Sequence, residues 1–199
     1  MPVRILHPSH IEIVGTGYVL LTSPHTTGPV EVYPGQVVED VALTSRAYAI
    51  IGKNSPAYDD ERKQLALQAV RDRINDVIEE NGIKCVLEIH AKKEPGVDIQ
   101  TNQRRSCTEE TSSLTHALLS KNFQITIDQQ PEVSQDQGSA SLARKSPDGI
   151  FDLQLVRITV GLQELETGRD KLIEQLAELV GLLNVRLGFD PAREPVVED

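Results

Sequence analysis

Residues 61–91 have the sequence ERKQLALQAVRDRINDVIEENGIKCVLEIHA, which joins a helix pattern to a strand pattern. Apolar residues recur at helical spacing over 61–80 while charged residues fill the other positions, and this predicts an amphipathic helix. Asn81-Gly82 is a typical C-terminal helix stop. The apolar run over 83–91 then predicts a buried strand. A helix that leads directly into a buried strand is typical of layered α/β folds.

The same alternation of elements continues on both sides of this unit. Before it, we predict strands over 11–14 and 18–22 and a helix over 37–51. After it, we predict a strand over 97–101, a helix over 108–119, strands over 123–127 and 151–160, and a closing amphipathic helix over 169–187. This alternation predicts a layered α/β fold, with a mixed or mostly parallel sheet sandwiched by helices.

The chain has the length of a single domain. It contains 199 residues, and we expect one α/β domain over 1–189. Residues 129–149 are rich in Gln, Ser, Asp, Gly and Pro, which predicts a long mobile loop. Residues 190–199 predict a polar tail.

The composition disfavours several classes of protein. The formal net charge of −10 makes nucleic acid and anionic membranes poor partners. Aromatic residues are only 4% of the chain, which leaves few side chains for base stacking. Cys85 and Cys107 are far apart in sequence and suggest neither a metal knuckle nor a disulfide framework. Since residues 1–10 contain no apolar run, we expect a cytoplasmic protein.

Two histidines follow apolar strands. His25 lies shortly after the predicted strand over 18–22, and His90 lies near the end of the predicted strand over 83–91. In open α/β sheets, functional sites collect at the carboxyl ends of strands, so these two side chains can converge. Neutral imidazole is the commonest protein ligand for metals such as zinc. We therefore predict a zinc site that includes His25 and His90, over the alternative of two unrelated hydrogen-bonding histidines.

A catalytic zinc ion needs a third protein ligand, and two glutamates are candidates. Glu31 lies six residues after His25, beyond a Gly-Pro turn, and could fold back to the metal. Glu88 lies two residues before His90, so both side chains point to one face of the strand. Glu88 could bind the metal or orient His90. Because a buried carboxylate is costly unless it is paired or metal-bound, Glu88 is conspicuous in its apolar strand.

Three arginines are candidates for binding a substrate carboxylate. Arg104 and Arg105, with Asn102 just before them, follow the predicted strand over 97–101. The guanidinium fork suits a carboxylate, although a solvated loop is the alternative for this pair. Arg62, at the start of the helix over 61–80, is a weaker candidate.

The remaining histidines carry less specific signals. We expect His116, which lies between two leucines of a predicted helix, to have a structural role. We expect His7 and His10, in the N-terminal segment, to be solvated. The sequence contains no G-x-S-x-G nucleophile elbow and no P-loop, so the enzyme classes that depend on these two motifs are disfavoured.

Four short segments make the sequence similar to the N-formylglutamate amidohydrolase family, a group of zinc hydrolases with a carboxypeptidase-like fold. They are Ser-Pro-His-Thr-Thr-Gly-Pro at 23–29, Glu88-Ile89-His90, Val-Asp-Ile-Gln-Thr-Asn at 97–102, and Leu-Gln-Leu at 153–155 with the closing helix. The resemblance covers most of the chain in order. It implies that the 23–29 segment supplies one metal ligand with an acidic ligand after it, and that His90 supplies the other histidine.

One position departs from the family's pattern. The last strand of the family usually carries Gln-x-Glu, and that glutamate is the general base. The matching position here is Val156, which cannot accept a proton. Either Glu88 or another carboxylate replaces the base, or the chain has lost the family's activity and only binds.

The leading hypothesis is a metal-dependent hydrolase that cleaves an amide next to a carboxylate, in an N-acyl amino acid or a glutamyl peptide, with zinc-activated water. In it, His25, Glu31 and His90 hold the metal. Glu88 acts as the base or supports the metal ligands, and Arg104 or Arg105 binds the substrate carboxylate. The rival is a catalytically impaired ligand-binding or assembly protein on the same scaffold. A third possibility, a plain structural α/β domain, requires that His25 and His90 lie far apart.

Overall fold

The computed structural model describes residues 2–24, 32–53, 60–101, 106–128 and 153–190. The loop predicted over 129–149 and the tail beyond residue 190 lie outside the described residues. The same is true of five predicted site residues, namely His25, Glu31, Asn102, Arg104 and Arg105.

The strands that the structure describes form one eight-stranded sheet. They are β1 (Val3–Leu6), β2 (His10–Val14), β3 (Val19–Ser23), β4 (Tyr48–Gly52), β5 (Cys85–Lys92), β6 (Val97–Thr101), β7 (Ile125–Asp128) and β8 (Gln154–Gly161). Their order across the sheet is β1-β2-β4-β3-β5-β8-β6-β7. The four central strands, β4, β3, β5 and β8, run parallel, whereas β2 and β6 are antiparallel to their central neighbours. The predicted mixed sheet is therefore confirmed.

Helices cover both faces of this sheet. They are α1 (Val32–Ser45), α2 (Asp60–Asn81), α3 (Ser106–Leu119), α4 (Leu162–Thr167) and α5 (Arg169–Arg186). Helices α1, α3 and α5 pack on one face and on one another, and α2 packs on the opposite face. The predicted sandwich of a sheet between helices is confirmed. None of the described helices is long and apolar enough to cross a membrane.

The face beneath α2 is apolar at one end of the strands and polar at the other. Helix α2 buries four apolar side chains, Val70, Ile74, Val77 and Ile78. They pack against Leu20, Ile50 and Val86, which lie in the first halves of the central strands. Two residues further along β5, the same face carries Glu88 in place of an apolar side chain. The carboxyl ends of the central strands therefore present polar groups on the α2 side.

The prediction of a helix over 37–51 is wrong in its second half. Helix α1 ends at Ser45, Arg46 has a left-handed φ of 59°, and the chain enters β4 at Tyr48. A residue in the left-handed region ends a helix because it reverses the backbone direction. Ala49 and Ile51 pack in the core beneath α1 and α5, while Ile50 packs beneath α2. A strand buried on both faces has no amphipathic period, so the pattern alone does not distinguish it from a buried helix.

Cys85, the first residue of β5, provides a simple test of the core. It is fully buried, and this burial raises the pKa of its thiol to about 12. Since the thiolate is the reactive form, we expect Cys85 to resist thiol reagents at mildly alkaline pH in a folded Cys107→Ser variant. The reaction, followed by absorbance, should become fast and stoichiometric in denaturant. Fast labelling of the native variant would contradict the described packing.

Candidate active site

Glu88 and His90 form a buried polar pair near the carboxyl end of β5. The Nε2 atom of His90 lies 2.8 Å from Oε1 of Glu88. The Glu88 residue is only 4% exposed, whereas His90 is partly exposed. Two residues of a strand that are separated by one position share a face, which explains why the side chains meet. The contact is of the kind by which a carboxylate orients an imidazole ring, one of the three roles that the sequence left open for Glu88.

Arg157 joins this pair from the neighbouring strand. It is the register partner of Glu88 across β5 and β8, and its Nη2 atom lies 3.5 Å from Oε2 of Glu88. A buried carboxylate needs a compensating charge or hydrogen bonds, and Glu88 has both a guanidinium and an imidazole beside it. Sequence analysis missed Arg157. The signal that could have found it is the one charged residue of β8, which lies between Val156 and Ile158.

Thr22 lies on the other side of Glu88, at the same level of the sheet. It is the register partner of Glu88 across β3 and β5, and it is fully buried. Its Oγ1 atom has no hydrogen-bond partner among the described residues. A buried hydroxyl without a partner is costly, so this position is suited to a ligand or a water molecule. We call Thr22, Glu88, His90 and Arg157 the strand-end cluster.

A cavity of about 300 Å³ opens between the ends of β3 and β4 and helix α2. It is lined by Pro24 at the end of β3, by Lys53 just after β4, and by residues 60–70 of α2. Pro24 follows Thr22 by two residues and directly precedes the position of His25. The volume is at the lower end of the range for small-molecule sites, and the lining includes Lys53 and Lys63.

The described residues supply only part of the predicted metal site. His90 is in place, while His25 and Glu31 lie in the undescribed segment between β3 and α1. That segment begins one residue after Pro24, at the strand end adjacent to His90 in the sheet. Arg62 lies exposed in the first turn of α2, and its role in substrate binding stays a prediction.

Val156 lies on the face of β8 opposite the strand-end cluster, so a side chain at this position cannot serve as the general base of the site. Val156 is fully buried in the core beneath α1, α3 and α5. It is the register partner of Leu87, which faces the same core. Side chains alternate along a strand, so position 156 points away from Glu88 and His90, and position 157 points toward them. A glutamate at position 156 would therefore point into the core, away from Glu88 and His90.

The expectation that His10 is solvated is also wrong. His10 is only 6% exposed and stacks on His7, with ring centroids 4.2 Å apart. It begins β2, a strand that pairs with β4 inside the sheet. Burial lowers the pKa of His10, and the neighbouring His7 lowers it further. The missing signal was β1, whose exposed residues lack a clear strand pattern but form a hairpin with β2.

Comparison with known proteins identifies the scaffold. A bacteriophage poly-gamma-glutamate hydrolase superimposes with a TM-score of 0.57 at 9% identity, covering 92% of this chain and 91% of that one. The CwlD amidase from Clostridioides difficile, solved with the GerS lipoprotein, has a TM-score of 0.55 at 12% identity, covering 88% and 100%. A protein of Shewanella amazonensis provisionally assigned as a metallopeptidase has a TM-score of 0.55 at 10% identity, covering 95% and 88%.

These identities are too low to transfer an activity, and they establish the fold alone. No family model matches the sequence. No curated protein matches it either. The chain thus shares its fold with a hydrolase, an amidase and a protein provisionally assigned as a metallopeptidase. Its strand-end cluster lies at the carboxyl ends of the central strands.

Proposed function

We propose that this chain is a metal-dependent hydrolase that cleaves an amide next to a carboxylate, in an N-acyl amino acid such as N-formylglutamate or in a glutamyl peptide. The observation that carries the proposal is the contact of 2.8 Å between buried Glu88 and His90. It lies at the carboxyl end of a central parallel strand, where α/β folds place their sites.

The contact prepares His90 for metal binding. An ionised Glu88 accepts the proton of Nε2, so the neutral ring carries its lone pair on Nδ1. Histidines that bind metals commonly donate their other ring N–H to a carboxylate in this way. His25 and Glu31 would complete the ligand set. The donor chemistry of two imidazoles and one carboxylate fits zinc, which when bound acidifies a water molecule and polarises an amide carbonyl.

The chain's own residues would divide the remaining tasks. Glu88 holds the His90 ring in place and is the carboxylate of the described site that can accept or return a proton. Arg157 is partly exposed, so its guanidinium can contact Glu88 and a substrate carboxylate together. Thr22 offers a hydroxyl to a bound substrate. Arg104, Arg105, Asn102 and Arg62 are the further candidates for gripping that carboxylate.

Metal content and turnover test the proposal together. We expect the purified chain to hold about one zinc ion in the site, and His90→Ala to lose it because one of three ligands is gone. Elemental analysis measures the metal, and amine release measures turnover of N-formyl, N-acetyl and glutamyl substrates, including poly-gamma-glutamate. A chelator should stop turnover, and zinc should restore it.

The matched control is His116→Ala, because His116 is a half-buried helix residue outside the strand-end cluster. This variant should keep both zinc and turnover. Circular dichroism should show the wild-type helix content for both variants. Undiminished metal and turnover in His90→Ala would refute the proposed role of His90.

The second candidate function is a binding protein on the same scaffold. Two observations favour it: β8 presents Arg157 to Glu88 where a carboxylate would serve as a base, and Val156 faces the core. In this case the chain would bind zinc and a carboxylate ligand, as measured by calorimetry, but would release no amine from any substrate of the panel.

A further inference from the structure

A second group of side chains that can bind a metal lies near the β1 edge of the sheet, away from the strand-end cluster. His7, His10 and Glu12 each offer a ligand atom, and these atoms lie within 4.8 Å of one another. The group belongs to the β1–β2 hairpin, and β2 is separated from β5 by β4 and β3. At about 4.8 Å per strand, the two groups are roughly 14 Å apart and would be separate sites.

Both imidazoles aim an unsatisfied nitrogen into this group. The Nε2 atoms of His7 and His10 are buried, and neither has a hydrogen-bond partner among the described residues. The His10 residue is only 6% exposed. A buried ring nitrogen without a hydrogen bond is costly, and Nε2 of His7 has only an ion-pair contact of 3.3 Å with Glu12. Two such nitrogens in one place indicate a missing occupant.

The contact between His7 and Glu12 has the length expected between two ligands of a tetrahedral ion. The Nε2 atom of His7 lies 3.3 Å from Oε2 of Glu12. With zinc–ligand bonds of about 2.0–2.1 Å, neighbouring ligand atoms in a tetrahedron are about 3.3–3.4 Å apart. The two rings are stacked at an interplanar angle of 15°, so one ring must turn before both lone pairs can point at one ion.

The hairpin is organised before any ion binds. Ser9 Oγ lies 3.0 Å from Nδ1 of His10, so a proton on Nδ1 leaves the lone pair on Nε2. The His7 backbone N–H donates to the carbonyl of His10, and Lys53 donates both its backbone N–H and its ammonium to the turn. The backbone of the hairpin therefore loses little conformational freedom when an ion binds.

The charges around the group are balanced. Arg73 of α2 donates two hydrogen bonds to Glu12, at 3.0 and 2.7 Å, and a third to Glu80 at 3.0 Å. The negative charges of Glu12 and Glu80 offset the positive charges of Arg73 and Lys53. Each carboxylate oxygen has a second lone pair, so Glu12 can bind an ion while it accepts from Arg73. A balanced surrounding predicts weaker binding than at a site with surplus negative charge.

We propose that His7, His10 and Glu12 bind a divalent transition-metal ion of the zinc class, independently of the proposed hydrolytic site. Imidazole with a carboxylate selects such ions over calcium or magnesium. The ion would tie the edge hairpin to α2 through the Glu12–Arg73 contact. Because it binds the folded chain, it should also raise the melting temperature.

Titration of the full-length, chelator-stripped chain with Zn²⁺ tests this proposal, with an indicator dye as the readout. The His90→Ala variant should retain one equivalent of bound Zn²⁺. When His7→Ala is added to this variant, the affinity for that ion should fall at least about a hundredfold, because a ligand is worth more than an orienting partner. Ser9→Ala in the same background should weaken it about tenfold. In the His90→Ala background, the melting temperature should rise with Zn²⁺ only where His7 is present.

The outcomes separate this site from the proposed active site. If the hydrolytic site is absent, wild type and His90→Ala bind the same single equivalent, and His7→Ala alone removes it. If the hairpin site is absent, His7→Ala and His10→Gln bind Zn²⁺ as wild type does, which overturns the proposal. His7 is half-buried in a turn, so its replacement should leave the circular dichroism spectrum unchanged. His116→Ala is the control for loss of a histidine elsewhere.

Discussion

Glu88→Gln is expected to lower turnover by about a hundredfold or more in a chain that hydrolyses N-acyl amino acids. The amide keeps the shape of the side chain but cannot accept or return a proton, and general acid–base help is typically worth about 10²–10⁴-fold. The change also removes the charge that Glu88 presents to His90 and Arg157. Steady-state kinetics on the best substrate of the panel measures kcat and kcat/KM.

The effect on kcat and on zinc separates a role in catalysis from a role in metal binding. If Glu88 handles the proton, kcat should fall while the zinc content stays near that of wild type. If Glu88 only orients His90, zinc affinity should fall instead, by about 10–100-fold. The control is Glu79→Gln, because Glu79 is exposed near the end of α2 and should leave both quantities unchanged. Wild-type turnover in Glu88→Gln would contradict both roles.

Val156→Glu is expected to destabilise the fold by several kcal/mol and to add no activity. Position 156 is fully buried among apolar side chains beneath α1, α3 and α5. A carboxylate there loses its hydration without gaining a partner, which costs several kcal/mol or forces the group to take up a proton. Urea denaturation, followed by circular dichroism, measures the loss as a lower midpoint.

The matched control places the same side chain on the other face of the same strand. Thr159 is the register partner of His90 and is partly exposed, so Thr159→Glu should change stability by less than about 1 kcal/mol. A Val156→Glu variant with wild-type stability and new hydrolytic activity would show that β8 has a different register in solution.

The sequence alone determined the elements whose patterns have a clear period. The amphipathic helix over 61–80 is α2, and the apolar run after it is β5 with Glu88 and His90 on one face. Helix α2 follows from its single apolar stripe, and β5 follows because a short apolar run comes directly after a helix stop. Since side chains alternate along a strand, Glu88 and His90 share one face. The mixed sheet between helices followed from the alternation of these elements.

The tertiary structure alone decided which side chains meet across the sheet. Arg157 reaches Glu88, and Val156 does not, because the register of β8 against β5 sets the face that each position occupies. A shift of one residue would exchange the two, and nothing local in the sequence measures that shift. His10 is buried for the same reason: β1, a short exposed strand, pairs with β2, and this pairing stacks His7 on His10 beside Glu12. Contacts between distant segments depend on the packing of the whole sheet, so only the folded chain shows them.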